Sequence, residues 1–169
     1  MRPAQDKNPP HAGSAQGTRG PASVQVAGDL THELLRQLNA VRLGAGLPPL
    51  RRSRDLTEAA VAHSRLMAKY GYFSHTSYNG SLFWQRVERY YPAPPASRRY
   101  RVGENLMSGP ASVSAAAVIR SWMQSPPHRE NLLSRWAEVG FGCVRAIDAP
   151  GVFDGHTVAI VTADFGTRS

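Results

Sequence analysis

The stretch WMQSPPHR, residues 122–129, marks a point where one helix ends and another begins. Ser125 is a favourable N-cap residue, and the two prolines after it suit the first helical positions, where an N–H would have no intrahelical partner. We therefore predict a helix over 126–134 and expect the Ser125 hydroxyl to accept the backbone N–H of His128. The positive end of the helix dipole disfavours an imidazolium, so His128 is expected to be neutral near pH 7. A neutral imidazole can be a metal ligand, a general base or simply part of a cap.

On both sides of this stretch, apolar periodicity predicts helices early in the chain and strands late. The other predicted helices start at Leu30 with Asp29 as N-cap, run from Arg54 to Tyr70 between Ser53 and the stop residue Gly71, and cover Leu82–Tyr90 and Val113–Met123. Runs rich in β-forming residues predict strands over Val102–Met107, Val139–Ile147 and Thr157–Phe165. Helices followed by strands with short connections indicate an α+β fold in which helices cover a small sheet.

The composition changes near residue 28. Residues 1–28 are rich in Pro, Gly, Ala, Ser and Gln, and Val24 and Val26 are their only β-branched apolar residues. Such a segment buries too little surface to offset its ordering entropy, which predicts a disordered leader or linker over 1–28 and one folded domain over 29–169. The first residues show no apolar signal-peptide core, a pattern that fits a cytoplasmic protein or a mature or trimmed secreted form.

The charge balance narrows the classes of partner. The 169 residues carry 20 Lys and Arg against 12 Asp and Glu, a formal net charge of +8. This basic excess suggests nucleic acid, an anionic membrane or a cell-wall polymer as a partner. The arginines are scattered, with groups at 51–54 and 98–101, and no nucleic-acid motif accompanies them, so a solvated basic surface is the simpler interpretation. Cys143 is the only cysteine, which excludes an internal disulfide, and we expect it to be a small core residue.

Two histidines and one glutamate stand in contexts that suggest chemistry. His75 lies on a loop after the Gly71 helix stop, where functional residues concentrate. Glu104 lies between apolar residues at the start of a predicted strand and therefore needs a partner or a role. With His128, they would form a His₂Glu site of the kind that holds catalytic zinc with an open position, provided that the fold brings them together. A surface role for His75 and a core role for His63 are the simpler alternatives.

Seven windows in order resemble the CAP superfamily, the group of cysteine-rich secretory proteins, antigen 5 and pathogenesis-related 1 proteins that share the SCP domain. The windows are LNAVR (38–42), LPPL (47–50), FSH (73–75), GEN (103–105), WMQSPPHR (122–129), EVGFG (138–142) and DFG (164–166). Together they span roughly Leu30 to Gly166 and are most like the compact bacterial branch of the superfamily.

The resemblance implies a three-layer α-β-α sandwich around a small, mainly antiparallel sheet, with a cleft into which His75, Glu104 and His128 project. In the eukaryotic branch a second cleft glutamate lies three residues after the helix tryptophan, and Ser125 occupies that position here. The missing acid weakens any mechanism that needs two carboxylates. Some members bind zinc or another divalent ion through the two histidines, and others bind sterols or fatty acids in apolar grooves.

Two functions of different classes follow. The first is a secreted or cell-envelope binding module, expected to be a monomer, that holds a divalent ion at His75 and His128 with Glu104 nearby. Zinc is the expected metal, a lipid, cell-wall component or anionic membrane surface is the expected partner, and neither an organic cofactor nor specific nucleic-acid binding is expected. The second is a protease- or esterase-like hydrolase in which His128 or Glu104 activates a water, with or without metal. Ser74 is a candidate hydroxyl, but adjacent extended residues point opposite ways, so Ser74 and His75 make a poor dyad. The binding module is the preferred interpretation.

Overall fold

In the computed structural model, the described residues are 20–95 and 99–168. Among them are five α-helices, a short 3₁₀ helix (Gly151–Phe153) and five strands. The helices are α1 (Gly28–Gly44), α2 (Arg54–Tyr70), α3 (Phe83–Tyr90), α4 (Ala115–Gln124) and α5 (Pro126–Leu133). The strands are β1 (Ser23–Val26), β2 (Arg51–Arg52), β3 (Tyr100–Pro110), β4 (Glu138–Ile147) and β5 (Val158–Arg168). No helix in this part of the chain combines the length and the apolar character needed to cross a bilayer.

The strands form one sheet in the order β1-β4-β5-β3, and neighbours along this path are antiparallel. The two-residue strand β2 pairs with the start of β4 in parallel. The long strands β3 and β5 pair along their whole length, and this register places Glu104 opposite Asp164. The observed sheet is therefore small and mainly antiparallel, as predicted.

Helices cover both faces of the sheet. Alternate residues of β5 separate into two cores, with Val161, Ala163 and Phe165 packing in one and Ile160 in the other. The first core joins the sheet to α1, α4 and α5 through buried residues that include Leu34, Leu38, Val118, Trp122 and Leu132. The second joins the opposite face to α2 through residues that include Met67 and Ala68. The period-two alternation of the strands thus produces the predicted α-β-α sandwich, and the α+β prediction is confirmed.

Helix α2 approaches β4 so closely that the strand needs glycine. A Cβ atom on Gly142 would lie 2.1 Å from the backbone carbonyl carbon of Ala60, far inside van der Waals contact. Because the helix and the strand lie so close together, the Ser64 hydroxyl of α2 donates to the Gly142 carbonyl oxygen at 2.8 Å. The face of α2 that carries His63 is consequently pressed against the middle of the sheet.

Local signals located the helices well. Helix α2 begins and ends where predicted, with the Ser53 hydroxyl accepting from the Leu56 N–H, and with Gly71 at φ 65°. Helices α3, α4 and α5 lie within two residues of their predicted bounds. Cys143 is buried in β4 as expected.

Two predictions for the start of the domain are wrong. Strand β1 lies inside the predicted disordered leader 1–28, because Ser23–Val26 pairs antiparallel with the far end of β4. Partner strand β4 satisfies backbone groups that the segment could not satisfy alone. Residues 1–19 of that leader lie outside the described residues. Helix α1 is capped by Ala27 rather than Asp29, which instead lies in the first turn and pairs with Arg145 at 3.2 Å.

Candidate functional site

His75 is placed by the abrupt end of α2. Gly71 adopts a left-handed conformation, and a Cβ there would lie 2.5 Å from the Pro150 carbonyl oxygen, so glycine alone suits the position. The chain then turns back along the sheet and brings the His75 Nδ1 atom to 2.8 Å from Glu104 Oε1. Because a carboxylate can only accept, Nδ1 carries the hydrogen and donates it. The His75 side chain remains 40% exposed, while Glu104 beneath it is only 1% exposed.

Glu104 is held from its other side by a buried arginine of α3. Arg86 donates from Nη2 to Glu104 Oε2 and from Nη1 to the His75 carbonyl oxygen and to Ser77 Oγ. Burial alone would raise the pKa of Glu104, but the His75 hydrogen bond and the Arg86 charge outweigh it and hold that pKa below its usual range. Glu104 is therefore a carboxylate whose two oxygens are both engaged.

Sequence reasoning missed Arg86, although a signal was present. The residue lies three positions after Phe83 and next to Val87, on the apolar face of α3. An arginine on a buried helical face needs a carboxylate partner, so the pattern could have matched Arg86 with the isolated Glu104.

His128 is presented by the short helix α5, with a difference from the predicted cap. Pro126 and Pro127 occupy the first helical positions as expected, but the Ser125 hydroxyl does not accept the backbone N–H of His128. Instead Ser125 Oγ lies 2.8 Å from the His128 ring atom Nδ1. Burial, followed by the charge of His75, lowers the pKa of His128, which supports its predicted neutrality.

Two asparagines fix α5 against β3 and so bring His128 to the other residues. Asn105, which follows Glu104, donates from Nδ2 to the His128 carbonyl oxygen at 3.0 Å. Asn131 donates to the Glu104 carbonyl oxygen at 3.0 Å and to Asn105 Oδ1 at 2.9 Å. The three sequence-predicted residues are thus brought into one region, with Glu104 bonded to His75 and the backbone of His128 tied to the residue after Glu104.

The observed side chains offer a metal ion fewer ligands than the predicted His₂Glu site would. Among residues 20–95 and 99–168, no group of three or more His, Cys, Asp or Glu side chains is arranged to hold a metal. Glu104 offers no free oxygen because His75 and Arg86 occupy both. In His75 and His128, however, Nδ1 is engaged and Nε2 makes no hydrogen bond to another described residue. The two Nε2 atoms are donors that suit zinc, and Glu104 and Ser125 are their orienting partners.

A second buried layer lies behind this site. Asp164 is fully buried opposite Glu104, and neither of its oxygens has a hydrogen-bond partner among the described residues. Burial, then the negative charge of Glu104, raises the pKa of Asp164 well above its usual range and so favours its protonated form. The sequence offered the DFG window at this point but no indication that its aspartate was buried beside Glu104.

His63 belongs to the same layer and has the core role considered for it. Its ring is fully buried, and Nε2 lies 2.9 Å from the Ser74 carbonyl oxygen, which can only accept. Nδ1 is therefore the unprotonated nitrogen, and it has no described partner. Ser74 is also buried, so its hydroxyl is not accessible to a substrate, and its Oγ accepts from the Thr76 N–H.

The His63 environment predicts a specific loss of stability in mild acid. Burial lowers the pKa of His63 from 6.5 to about 4, so the unfolded chain takes up a proton as pH falls through 6.5 while the folded chain does not. Between pH 7.5 and pH 5, His63 should therefore remove about 2 kcal/mol from the free energy of unfolding. Urea unfolding at both pH values should show this acid loss in the wild type and in His156→Gln, whose histidine is exposed. The loss should be smaller by about 2 kcal/mol in His63→Gln, and equal acid losses in all three proteins would contradict the assignment.

Comparisons with known proteins agree with this architecture. A family model described as CAP, the cysteine-rich secretory protein family, matches residues 35–160. A comparison with curated sequences gave no match. Similar solved structures include an extracellular protein containing an SCP domain from Bacillus anthracis str. Ames (TM-score 0.64, 24% identity, 84% of this chain and 41% of that chain). They also include an outer surface protein from Borrelia burgdorferi (TM-score 0.64, 22% identity, 80% of this chain and 90% of that one).

A cysteine-rich secretory protein from Staphylococcus aureus subsp. aureus Mu50 is similar as well, with a TM-score of 0.57 and 20% identity over 82% of this chain and 38% of that one. This chain therefore spans about two fifths of the Bacillus anthracis and Staphylococcus aureus chains. At these identities the solved structures establish the shared fold, while the family model covers about three quarters of the sequence. The fold, the ordered sequence windows and the matching family model lead to one conclusion: the chain belongs to the CAP family of cysteine-rich secretory proteins.

Proposed function

We propose that this chain is an extracellular or cell-envelope binding module that holds a divalent metal ion, zinc by its chemistry, through His75 and His128. The observation that carries the proposal is the state of the two imidazole rings. Each engages Nδ1 with an orienting partner, Glu104 or Ser125, and leaves Nε2 without a hydrogen-bond partner among the described residues. A histidine that donates its other N–H to a carboxylate or hydroxyl is oriented for metal binding.

The surrounding charges support the same function. The lowered pKa of His128 keeps its imidazole neutral and able to donate a lone pair at pH 7. The buried Glu104 carboxylate offsets the positive charge that a metal would bring to His75, and Arg86 fixes the position of that carboxylate. With two protein ligands, water molecules or groups of a bound partner would complete the coordination, so the metal would form part of a binding surface.

The location and the larger ligand are part of the same proposal. Three similar structures are described as those of an extracellular, an outer surface and a secretory protein, which supports placement outside the cytoplasm. A lipid or a cell-envelope component is the class of partner that we expect there, and the metal site would be one of the contacts that such a partner meets.

Zinc titration tests this proposal directly. We expect isothermal titration calorimetry of the wild type to show one zinc site. The His75→Ala/His128→Ala double variant should lose more than about 100-fold in affinity, because changes to residues that only orient the metal ligands already lower affinity by about 10–100-fold. The His32→Ala variant is the matched control, since His32 is an exposed histidine of α1 that lies outside the site. Equal heats for the wild type and the double variant would contradict the proposal.

A hydrolase is the second candidate function, and the Ser125–His128 contact favours it. A hydroxyl 2.8 Å from a neutral imidazole nitrogen has the spacing of a nucleophile and its general base. The two functions need opposite hydrogen positions: a hydrolase needs Ser125 to donate to Nδ1, whereas metal binding through Nε2 needs Nδ1 to donate to Ser125. The ¹⁵N chemical shifts of the His128 ring would distinguish these tautomers.

A further inference from the structure

A cavity of about 390 Å³ lies outside the histidine cleft, where the loop after α1 meets the segment that leads into β4. Its walls include Arg42, Leu47, Pro48, Arg135, Trp136 and Thr167. None of the described residues that line it is acidic, and His75, Glu104 and His128 do not contribute to it. The volume is within the range of small-molecule sites, and the walls combine apolar surface with two arginines.

One of these arginines is completely buried and has no carboxylate partner among the described residues. Arg42 is 0% exposed, and it donates to the carbonyl oxygens of Pro48, Leu132 and Ser134 at 3.0, 2.7 and 2.8 Å. Its Nη2 atom is buried and has no hydrogen-bond partner among the described residues. Burial lowers the pKa of Arg42, although an arginine stays protonated in practice. A buried cation that faces only neutral dipoles favours an anion nearby.

One exposed arginine lines the same cavity, and a second contacts one of its walls. Arg135 lines it directly, and the Arg101 guanidinium lies 4.9 Å from the ring centroid of Trp136, one of the walls. Neither Arg101 nor Arg135 forms an ion pair with a described carboxylate. The strand register explains why Arg101 lies near the cavity, since it pairs across β3 and β5 with Thr167, which lines the cavity.

A further arginine extends this positive rim along the end of the sheet. The Arg51 N–H donates to the Ala137 carbonyl oxygen, so β2 lies beside the cavity, and the Arg51 side chain is 79% exposed. The Glu138 carboxylate, whose Oε2 accepts from the Tyr91 hydroxyl, forms a long ion pair of 3.9 Å with Arg51 through Oε1 and offsets part of this charge.

We propose that this cavity binds a phosphate group carried on a small organic body. Arg135 and Arg101 would contact the phosphate oxygens, since guanidinium groups match phosphate geometry with paired donors. Arg42 would supply a third positive charge, which is buried and which water screens poorly. The apolar walls Leu47, Pro48 and Trp136 would pack on the organic part, because the cavity is larger than a phosphate ion requires. The phosphate could come from a soluble ester or from a phospholipid headgroup, and the chemistry recognised is the same.

Calorimetric titration with glycerol 3-phosphate tests the site. The test variant is Arg101→Ser/Arg135→Ser, which leaves the buried Arg42 in place so that the protein folds. The control is Arg65→Ser/Arg120→Ser, which removes the same charge from exposed positions of α2 and α4 that do not line the cavity. We expect the test variant to bind at least about 10-fold more weakly than the wild type, and the control to stay within about 2-fold.

Sedimentation with vesicles of phosphatidylglycerol, and with phosphatidylcholine as the neutral reference, identifies the source of the phosphate. Binding of glycerol 3-phosphate without vesicle binding supports a soluble ester, and variant-sensitive binding to phosphatidylglycerol supports a headgroup. The proposal is overturned if the wild type binds neither probe. It is equally overturned if the test and control variants lose the same affinity, because the effect would then come from overall positive charge.

Discussion

The Arg86→Met variant should be less stable than the wild type by about 3–5 kcal/mol, the usual cost of removing one partner from a buried ion pair. The Arg86 side chain is 6% exposed and that of Glu104 is 1% exposed. Without Arg86, the Glu104 carboxylate would remain beside the buried Asp164 and would keep only its hydrogen bond from His75. The His75–Ser77 loop would also lose two of its anchoring hydrogen bonds.

Urea unfolding at pH 7 measures this loss, and Arg89→Met is the matched control. Arg89 lies one turn away on the same helix, is exposed, and donates to Ser81 Oγ at 3.3 Å. The control should differ from the wild type by less than about 0.5 kcal/mol. A change of under about 1 kcal/mol in Arg86→Met would mean that Glu104 does not depend on Arg86 for its charge, and would also weaken the proposed orientation of His75.

The Gly142→Ala variant should lose more than about 3 kcal/mol, beyond the usual range for added methyl groups in a core, or should fail to fold. The new Cβ would lie 2.1 Å from the Ala60 carbonyl carbon and 2.2 Å from the Ala60 carbonyl oxygen. These are backbone atoms in the middle of α2, so no side chain can rotate away to relieve the overlap. Helix α2 would have to move off the sheet and would break the Ser64 contact with Gly142.

Gly109→Ala is the control for this second prediction. Gly109 is also a strand residue, but a Cβ there would meet Met107 Cε at 3.7 Å and Val113 Cγ2 at 4.0 Å, which are ordinary contacts. Replacing a strand glycine where space allows should leave stability unchanged or raise it by up to about 1 kcal/mol. Thermal unfolding of both variants separates the effects. Equal melting temperatures would show that α2 does not depend on the close approach.

These two positions determine whether the candidate site forms. The close approach of α2 to β4 sets the position of the helix on the sheet and hence of the His75 loop after Gly71, while the Arg86–Glu104 pair holds that loop from below. A metal-binding measurement on either variant should therefore follow its stability. The zinc titration of the histidine variants does not depend on stability in this way, because both histidine side chains lie at the cleft and neither is fully buried.

Much of the helical structure could be predicted because the signals for helices are local. Ser53 and Gly71 bound α2 through contacts within four residues, and the prolines after Ser125 start α5 in the same way. Strand β1 could not be predicted, since Ser23–Val26 gains its hydrogen bonds from residues 144–147 of β4. The isolated segment has neither the length nor the apolar content to indicate that partner.

The candidate site could likewise be predicted only in part from the sequence. The residue types and the family windows singled out His75, Glu104 and His128, and the structure brings them into one region. The partners that set their chemistry come from distant parts of the chain: Arg86 from α3, Asp164 from β5 and Asn131 from α5. Even the contact of Ser125 with His128, only three residues away, depends on which way the ring turns, and sequence alone did not specify that.

The sequence by itself determined the fold family, the positions of the main helices and the three residues of the candidate cleft. These features depend on short-range propensities and on residue types, which do not change with the tertiary fold. Only the tertiary structure decided that the Glu104 carboxylate is held at both oxygens, that burial favours the protonated form of Asp164 behind it, and that Arg42 is a buried cation beside a cavity. Charge state and hydrogen-bond partners depend on burial and on neighbours far apart in sequence, and both are properties of the packed molecule.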